Sequence, residues 1–290
     1  MKQRALLLIN PNARKGKEAQ MQAFQQLQAL GFELLPQSVE NPQYLPEIIR
    51  QYRHMVDLVI ISSGDGTVNA AIEGLLDTQL PLGILPSGTA NNLARSLKIP
   101  RSLPESCKIV AAGKIRLIDL GWVNGKYFFN VAGLGLSAQI NRRVPKAWKR
   151  RWGVLAYAAV ALQVLWQSRP FEAEIRWHNQ LIKVKTFQIT VCNGRYYGSG
   201  LVVAEDAAID DQRLDLYSVK TQQWWQLIAL IPAIVQGKKA PGVLTLQGKE
   251  INIYTKEPNW IDTDGELTTT TPAQFRVIPQ ALPVFVPVDR

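Results

Sequence analysis

Over the first 120 residues, short apolar runs alternate with segments whose apolar positions recur every three or four residues. "RALLLIN" (4–10), "FELLPQSV" (32–39), "VDLVIIS" (56–62) and "PLGILP" (81–86) are runs of strand length that end at turn-forming residues. Between them, "EAQMQAFQQLQALG" (18–31) sets Met21, Phe24, Leu27 and Leu30 at helical spacing and stops at Gly31. "PEIIRQYRHM" (46–55), the stretch from about Thr67, and "TANNLARSLKI" (89–99), halted by Pro100, also predict helices. Strand–helix alternation of this kind predicts a parallel sheet with helices on both faces. Ligands in such folds sit at the carboxyl ends of the strands. Here those ends are "NPNARKGK", "SSGDGT" and "PSGTANN", all rich in glycine, asparagine or small hydroxyl residues.

After about Leu117 the period shortens. "DLGWVNGKYFFNVAGLGLS" carries an Asn-Gly turn between apolar runs, and "FEAEIRWHNQLIKVKTFQITVCNG" repeats the pattern around His178-Asn179. "RLDLYSV", "EINIYT", "WIDTDGEL" and "AQFRVIP" follow, with one helix predicted at about 147–166. The expected architecture is an α/β domain over 1–118 and a β-rich domain, a sandwich or open barrel, over 119–290.

Composition narrows the function classes. Apolar residues make up 47% of the 290, which supplies packed cores and excludes a disordered chain. A formal charge of +10 points to an anionic partner: nucleic acid, membrane surface or phosphorylated substrate. No recognised DNA-binding motif is present, so no nucleic-acid partner is expected. Two cysteines, Cys107 and Cys192, cannot form a disulfide framework. The first apolar run stops at Asn10-Pro11, too short for a signal peptide, and a cytoplasmic protein is expected.

The stretch "IISSGDGTVNAAIEGLL" (60–76) carries the chemistry. A glycine-rich turn between strand and helix lets backbone N–H groups converge on phosphate oxygens. Neither the P-loop nor the GxGxxG fingerprint is present. A carboxylate inside such a turn repels a bare phosphate, but it suits a magnesium ion bridging phosphate oxygens, so Asp65 suggests a magnesium–nucleotide site. A plain turn with Asp65 starting the helix is the alternative.

"GILPSGTANNLARSLKIP" repeats the logic twenty residues on, and here the chain resembles the soluble diacylglycerol kinase catalytic family, which includes bacterial lipid kinases and the sphingosine kinases. The resemblance rests on seven motifs in order: "NPNARKGK", "SGDGTVN", "PSGTANNLARSL", "IDLG", "FNVAGLGLSA", "IDDQRLDL" and "TDGEL". It implies a three-layer nucleotide-binding domain followed by a larger β-rich domain, with the active site in the cleft between them. It also implies ATP and Mg2+ as cofactors and a lipid substrate. Asn10 and Asn12 would line the nucleotide site, with Ser38 a weaker match. Ser63, Gly64, Asp65, Gly66 and Thr67 match the first phosphate loop, with Asn69 just beyond. Gly88 and Thr89 match the second. Asp65 and Asp119 would join a water-linked network around the catalytic magnesium. Asp264 aligns with the general base. Asp211 aligns with a structural magnesium site, with the carbonyls of Ala208 and Arg213 as companions. From the residues alone, Asp264-Gly265 is equally a hairpin turn, and Asp211 a loop acid.

The chain departs from the family pattern in three places. Ser63 replaces a glycine, and a positive φ there would strain it by roughly 1 kcal/mol. Asn92 stands where the family has an aspartate, so one carboxylate of the magnesium network is lost, and Ala70 replaces a glutamate. A basic stretch, Arg142, Arg143, Lys146, Lys149, Arg150 and Arg151, leads into the apolar run Trp152–Trp166. That run falls short of the roughly 20 residues needed to span a bilayer. It reads either as a packed helix or as a cleft-side helix meeting anionic lipid, and "QQWWQLIALIPAIVQGKK" (222–239) is a second such candidate. The expectation is an ATP-dependent lipid kinase, with diacylglycerol as default acceptor, that is peripherally membrane-associated and leaves room for a homodimer. An NAD kinase-like enzyme and a catalytically silent lipid- or nucleotide-binding protein are the alternatives.

Overall fold

The computed structural model describes residues 2–9, 16–143, 160, 163–197, 201–202, 208–219 and 242–288. The chain forms two compact units, Met1–Asp119 with Pro279–Arg290, and Leu120–Ile278. The sequence reading ran the second domain to the C-terminus. Residues 279–290 instead belong to the first unit, because the end of the last strand pairs there, Val284 beside Leu82.

The first unit is built from β1 (Arg4–Ile9), α1 (Gly16–Ala29), β2 (Glu33–Ser38), α2 (Leu45–Tyr52), β3 (Leu58–Ser63), α3 (Asp65–Ala70), α4 (Ile72–Thr78), β4 (Leu82–Pro86), α5 (Asn92–Ser96) and α6 (Leu103–Ala112). Its strands run parallel in the order β2-β1-β3-β4. Every residue of β3 and β4 is buried, as expected of strands covered on both faces. One core cluster joins Leu7, Leu58, Ile60 and Leu85 of the sheet to Ala23 and Leu27 of α1 and to Cys107 and Val110 of α6. The apolar stripe of α1 is therefore Ala23 and Leu27, with Phe24 partly buried, whereas Met21 is 64% exposed and Leu30 38% exposed. A strict spacing of three drifts off one face of a 3.6-residue helix. The helix predicted from Thr67 starts at Asp65 and breaks at Ala71. "TANNLARSLKI" yields only five helical residues, because Asn91 is left-handed (φ +53°) and Lys98 is too (φ +58°).

The second unit contains the end of β5 (Ile115–Val123), which carries the chain across, then β6 (Lys126–Phe128), β7 (Val131–Gly135), α7 (Leu136–Arg143), β8 (Phe171–Trp177), β9 (Gln180–Thr186) and β10 (Gln188–Cys192). There follow β11 (Tyr196–Tyr197), β12 (Leu201–Val202), β13 (Leu214–Val219), β14 (Val243–Gly248), β15 (Glu250–Thr255), β16 (Trp260–Thr263), β17 (Glu266–Thr270) and β18 (Ala273–Phe285). An antiparallel sheet of order β14-β13-β10-β7-β16-β17 shares one apolar core with strands β8, β9, β15 and the start of β18. This is a sandwich. The three hairpins turn as their sequences predict. Asn124-Gly125, His178-Asn179 and Asp264-Gly265 all have positive φ at both central residues, the two-residue turn that matches strand twist.

Most of the helix predicted at 147–166, and all of the candidate at 222–239, lie outside the described residues. Of the former, Val160 and Val164 are buried against Leu136 and Ile140 of α7, while Trp166 is 74% exposed. Among the described residues no helix is long and apolar enough to cross a membrane.

Cys107 and Cys192 are free and buried. Burial pushes the Cys107 thiol up to about 11. Burial, with the Asp215 carboxylate adding to it, pushes Cys192 well above the usual thiol range. Only the thiolate attacks disulfide reagents, so a raised value means less reactive form at pH 8. Native protein should show no fast reaction with an aromatic disulfide reagent, and denatured protein should release two equivalents. One fast equivalent in the native state would contradict the burial.

Candidate active site

In the first unit the ends of the parallel strands lie level. Ile9 pairs with Ser38 and Ser62, and Ser63 pairs with Pro86. The loops after β2, β3 and β4 thus leave one edge of the sheet, and the loop after β1, with Asn10 and Asn12, lies outside the described residues. Ser38 closes β2 in an exposed position. The Ser87 N–H donates to the Ser63 carbonyl at 3.1 Å, which carries the β3–β4 pairing one residue into the loops.

There the two glycine loops meet backbone to backbone. A Cβ on Gly88 would lie 2.5 Å from Gly64 Cα, and one on Gly64 would lie 3.0 Å from Gly88 Cα. Close approach, not a positive φ, requires glycine: Gly64 is extended (φ −97°, ψ 179°). Ser63 has no positive φ, so the strain considered for it does not arise. Its buried hydroxyl donates to Thr67 Oγ1 at 2.7 Å.

Asp65 opens α3, with Gly66 exposed behind it. The Asp65 Oδ1 accepts the Leu93 N–H at 3.2 Å, which ties the first loop to α5. The second loop is closed by Asn91, whose Oδ1 accepts the Gly88 N–H (3.0 Å) and whose Nδ2 donates to the Gly88 carbonyl (2.9 Å). A carboxylate would accept but not donate here, whereas the amide does both from separate atoms, and asparagine tolerates the left-handed backbone. Arg101 donates to the carbonyls of Thr89 (2.7 Å) and Ala90 (3.2 Å), and Arg95 donates to Ala90 (3.1 Å). Asn69 and Asn92 are half-buried on the helices that follow. Asp119, buried on β5, accepts the Gln280 N–H at 2.7 Å.

In the second unit Asp264 occupies the first turn position between β16 and β17, half-buried and left-handed (φ +49°). Its carboxylate accepts three consecutive backbone N–H groups: Phe129 on Oδ2 at 2.7 Å, then Asn130 and Val131 on Oδ1 at 3.0 and 3.1 Å. Its own N–H donates to the Val131 carbonyl at 2.8 Å. Two residues earlier the fully buried Asp262 accepts the Ser137 hydroxyl at 2.6 Å, and Ser137 in turn receives Gln188 Nε2 at 3.0 Å.

Asp211 accepts the backbone N–H of Ala208 (3.1 Å) and of Arg213 (3.3 Å), and pairs with the Arg213 guanidinium at 3.2 Å. The residues implied as a metal site are therefore together. The described ones, however, form an ion-paired turn: the Arg213 guanidinium contacts the Asp211 carboxylate and lies 3.9 Å from that of the buried Asp215, so a cation already faces the implied ligand. That donor set does not fit magnesium, and no metal is assigned to it. Among the described residues no group of three His, Cys, Asp or Glu side chains gathers into a cage. Asp65 does fit. Magnesium is commonly held by one or two carboxylates plus phosphates and water, and a half-exposed carboxylate beside the two glycine loops meets that need.

Residues 4–123 match the model of the diacylglycerol kinase catalytic domain, and residues 130–286 match the YegS C-terminal NAD kinase β-sandwich-like domain. A Bacillus subtilis (strain 168) protein named diacylglycerol kinase is 30% identical over 241 residues, covering 81% of this chain and 79% of that one. The chain belongs to the diacylglycerol kinase catalytic-domain family. An uncharacterised Synechocystis protein is also 30% identical, over 80% of this chain but only 55% of its own length. The crystal structure of a diacylglycerol kinase from Bacillus anthracis str. Sterne superposes with a TM-score of 0.82 at 24% identity, covering 98% and 97% of the two chains, which bears out the two-domain fold.

Within this lipid kinase family, the sequence motifs located Gly64, Asp65, Gly88 and Asp264. They missed the loop-closing role of Asn91, and they missed Arg101 and the Asp262–Ser137 pair. Asp262 had no local signal: in "WIDTDGEL" strand alternation sets it on the face opposite the core residue Ile261, and its burial comes with its α7 partner, Ser137.

Proposed function

We propose that the chain transfers the γ-phosphoryl group of ATP to a lipid hydroxyl, with diacylglycerol as acceptor and phosphatidic acid as product. The observation that carries the phosphoryl-transfer reading is the pair of touching glycine loops at the carboxyl edge of the parallel sheet, with Asp65 at their junction. The diacylglycerol kinase name of the B. subtilis relative supports the lipid acceptor.

In this reading the backbone N–H groups of the loops around Gly64–Thr67 and Gly88–Thr89 hold the ATP phosphates, with Asn10, Asn12 and Asn69 nearby. Asp264 takes the proton of the acceptor hydroxyl as its oxygen bonds to the γ-phosphorus, and the bond to the β–γ bridging oxygen breaks to release ADP. Magnesium bound by Asp65, with Asp119 acting through water, would offset charge on the phosphate oxygens. Arg142 and Arg143, at the basic end of α7, begin a stretch that continues outside the described residues and would draw the protein to anionic headgroups.

The test is a γ-labelled ATP assay with chromatographic separation of products. Acceptors are diacylglycerol in anionic or neutral vesicles, a sphingoid base, NAD, and a water-soluble short-chain diacylglycerol. Label should enter diacylglycerol, faster in anionic vesicles, and that advantage should fall with salt as the Debye length shrinks to about 3 Å at 1 M. Label only in NAD, or in no acceptor, would overturn the reading.

A further inference from the structure

Asp264 is anchored by main-chain groups, and those groups are themselves held from elsewhere. The segment Phe129–Asn130 links β6 to β7, and its amides point at the carboxylate. The Asn193 side chain, just past β10, donates through Nδ2 to the Phe129 carbonyl at 2.8 Å. The N–H groups of Asn193 and Gly194 both donate to the Asn130 carbonyl, at 2.8 and 3.0 Å. Asn193 is 1% exposed and Asn130 is 3% exposed. Gly194 packs so closely that a Cβ there would sit 2.8 Å from Asn130 Oδ1.

A peptide plane is rigid, so fixing its carbonyl fixes the direction of the N–H on its other side. The Phe129 carbonyl shares a plane with the Asn130 N–H, and the Asn130 carbonyl shares one with the Val131 N–H. Three donors on the Asn193–Gly194 corner thus aim two of the three N–H groups that hold Asp264. We propose that Asn193 is a positioning residue for Asp264: its side-chain amide and its backbone N–H hold the Phe129 and Asn130 carbonyls so that the Asn130 and Val131 N–H groups point at the carboxylate. This rests on the assignment of Asp264 as the acceptor of the hydroxyl proton. Its effect on Asp264 passes through the 129–131 peptides.

The test uses the full chain carrying Asn193→Leu, which keeps side-chain size and removes the donor. The first readout needs no activity. The Phe129, Asn130 and Val131 amide protons, bonded to a carboxylate, should resonate far downfield; Asp264→Asn should move all three upfield, and Asn193→Leu should move that of Asn130 most. The second readout is turnover on the soluble acceptor. Asn193→Leu should lower kcat by about a hundredfold, as small misplacements of reacting groups do, with KM for ATP unchanged. In an Asp264→Asn background it should lower kcat no further, whereas a role in general stability would add its own loss. Should Asn193→Leu fail to fold, Gly194→Ala presses on Asn130 from the same corner without deleting a hydrogen-bonding group, and should shift the same resonances. Unmoved resonances in a folded variant, or equal losses with and without Asp264, would overturn the proposal. An inactive parent whose resonances respond as expected would remove the lipid kinase reading and leave the positioning role standing.

Discussion

Asp264→Asn is expected to lower kcat on a soluble diacylglycerol by about a hundredfold to ten-thousandfold, the range for loss of a positioned general base. The KM for ATP should stay within about twofold, because the phosphate loops belong to the other unit and lose nothing. The substitution also has a structural cost. If the asparagine oxygen stays beneath Asn130 and Val131, its NH2 group faces the Phe129 N–H, which now lies 2.7 Å from the carboxylate oxygen. Two donors then oppose each other, and an orphaned buried donor costs about 1–3 kcal/mol. A fall in Tm is therefore part of the prediction, and it is too small to unfold a domain of ordinary stability. Steady-state kinetics alongside thermal melts separate the two effects. A variant with lowered Tm and near-parental kcat would make Asp264 a turn anchor, the alternative that its Asp-Gly sequence always allowed.

The sequence located what depends on local pattern. The parallel strands of the first unit, the three left-handed hairpin turns and the glycine loops follow from apolar runs and turn chemistry that act within a few residues. α6 carries local signals as well: Ser102, Pro104 and Gly113 bracket it as cap, first-turn and terminating residues. What escaped depends on distant partners. The predicted strand "AQFRVIP" stops at Pro279, yet β18 runs on from Ala273 to Phe285 and returns the chain to the first unit. The partners of Asn193 and Asp264 are 64 and 133 to 135 residues away, beyond any local pattern. The motif marked Ser63 and Asn92 as departures, but only the structure shows that serine is unstrained because φ is ordinary there.

The same contrast between motif and geometry sets the second large effect. Gly88→Ala is expected to cut kcat/KM for ATP by about a hundredfold, the scale for misplacing a binding element by about 1 Å. The added methyl would stand 2.5 Å from Gly64 Cα and 2.8 Å from Asn91 Oδ1. The first contact is backbone, so no side-chain rotation relieves it. The second belongs to the amide that closes the loop through both Gly88 main-chain groups, so yielding there breaks two hydrogen bonds. The loops must therefore part, and the N–H groups on each side lose their common focus. Overpacking of this kind also costs about 1–3 kcal/mol of stability. Gly64→Ala provides the graded comparison. Its methyl would meet Gly88 Cα at 3.0 Å, which a shift of a few tenths of an ångström relieves, so its loss should be smaller than that of Gly88→Ala. Nucleotide binding measured by calorimetry, with turnover on the soluble acceptor, checks both variants. If the two alanines behave alike, or if Gly88→Ala binds ATP as the parent does, the close approach of the two backbones is not what shapes the nucleotide site.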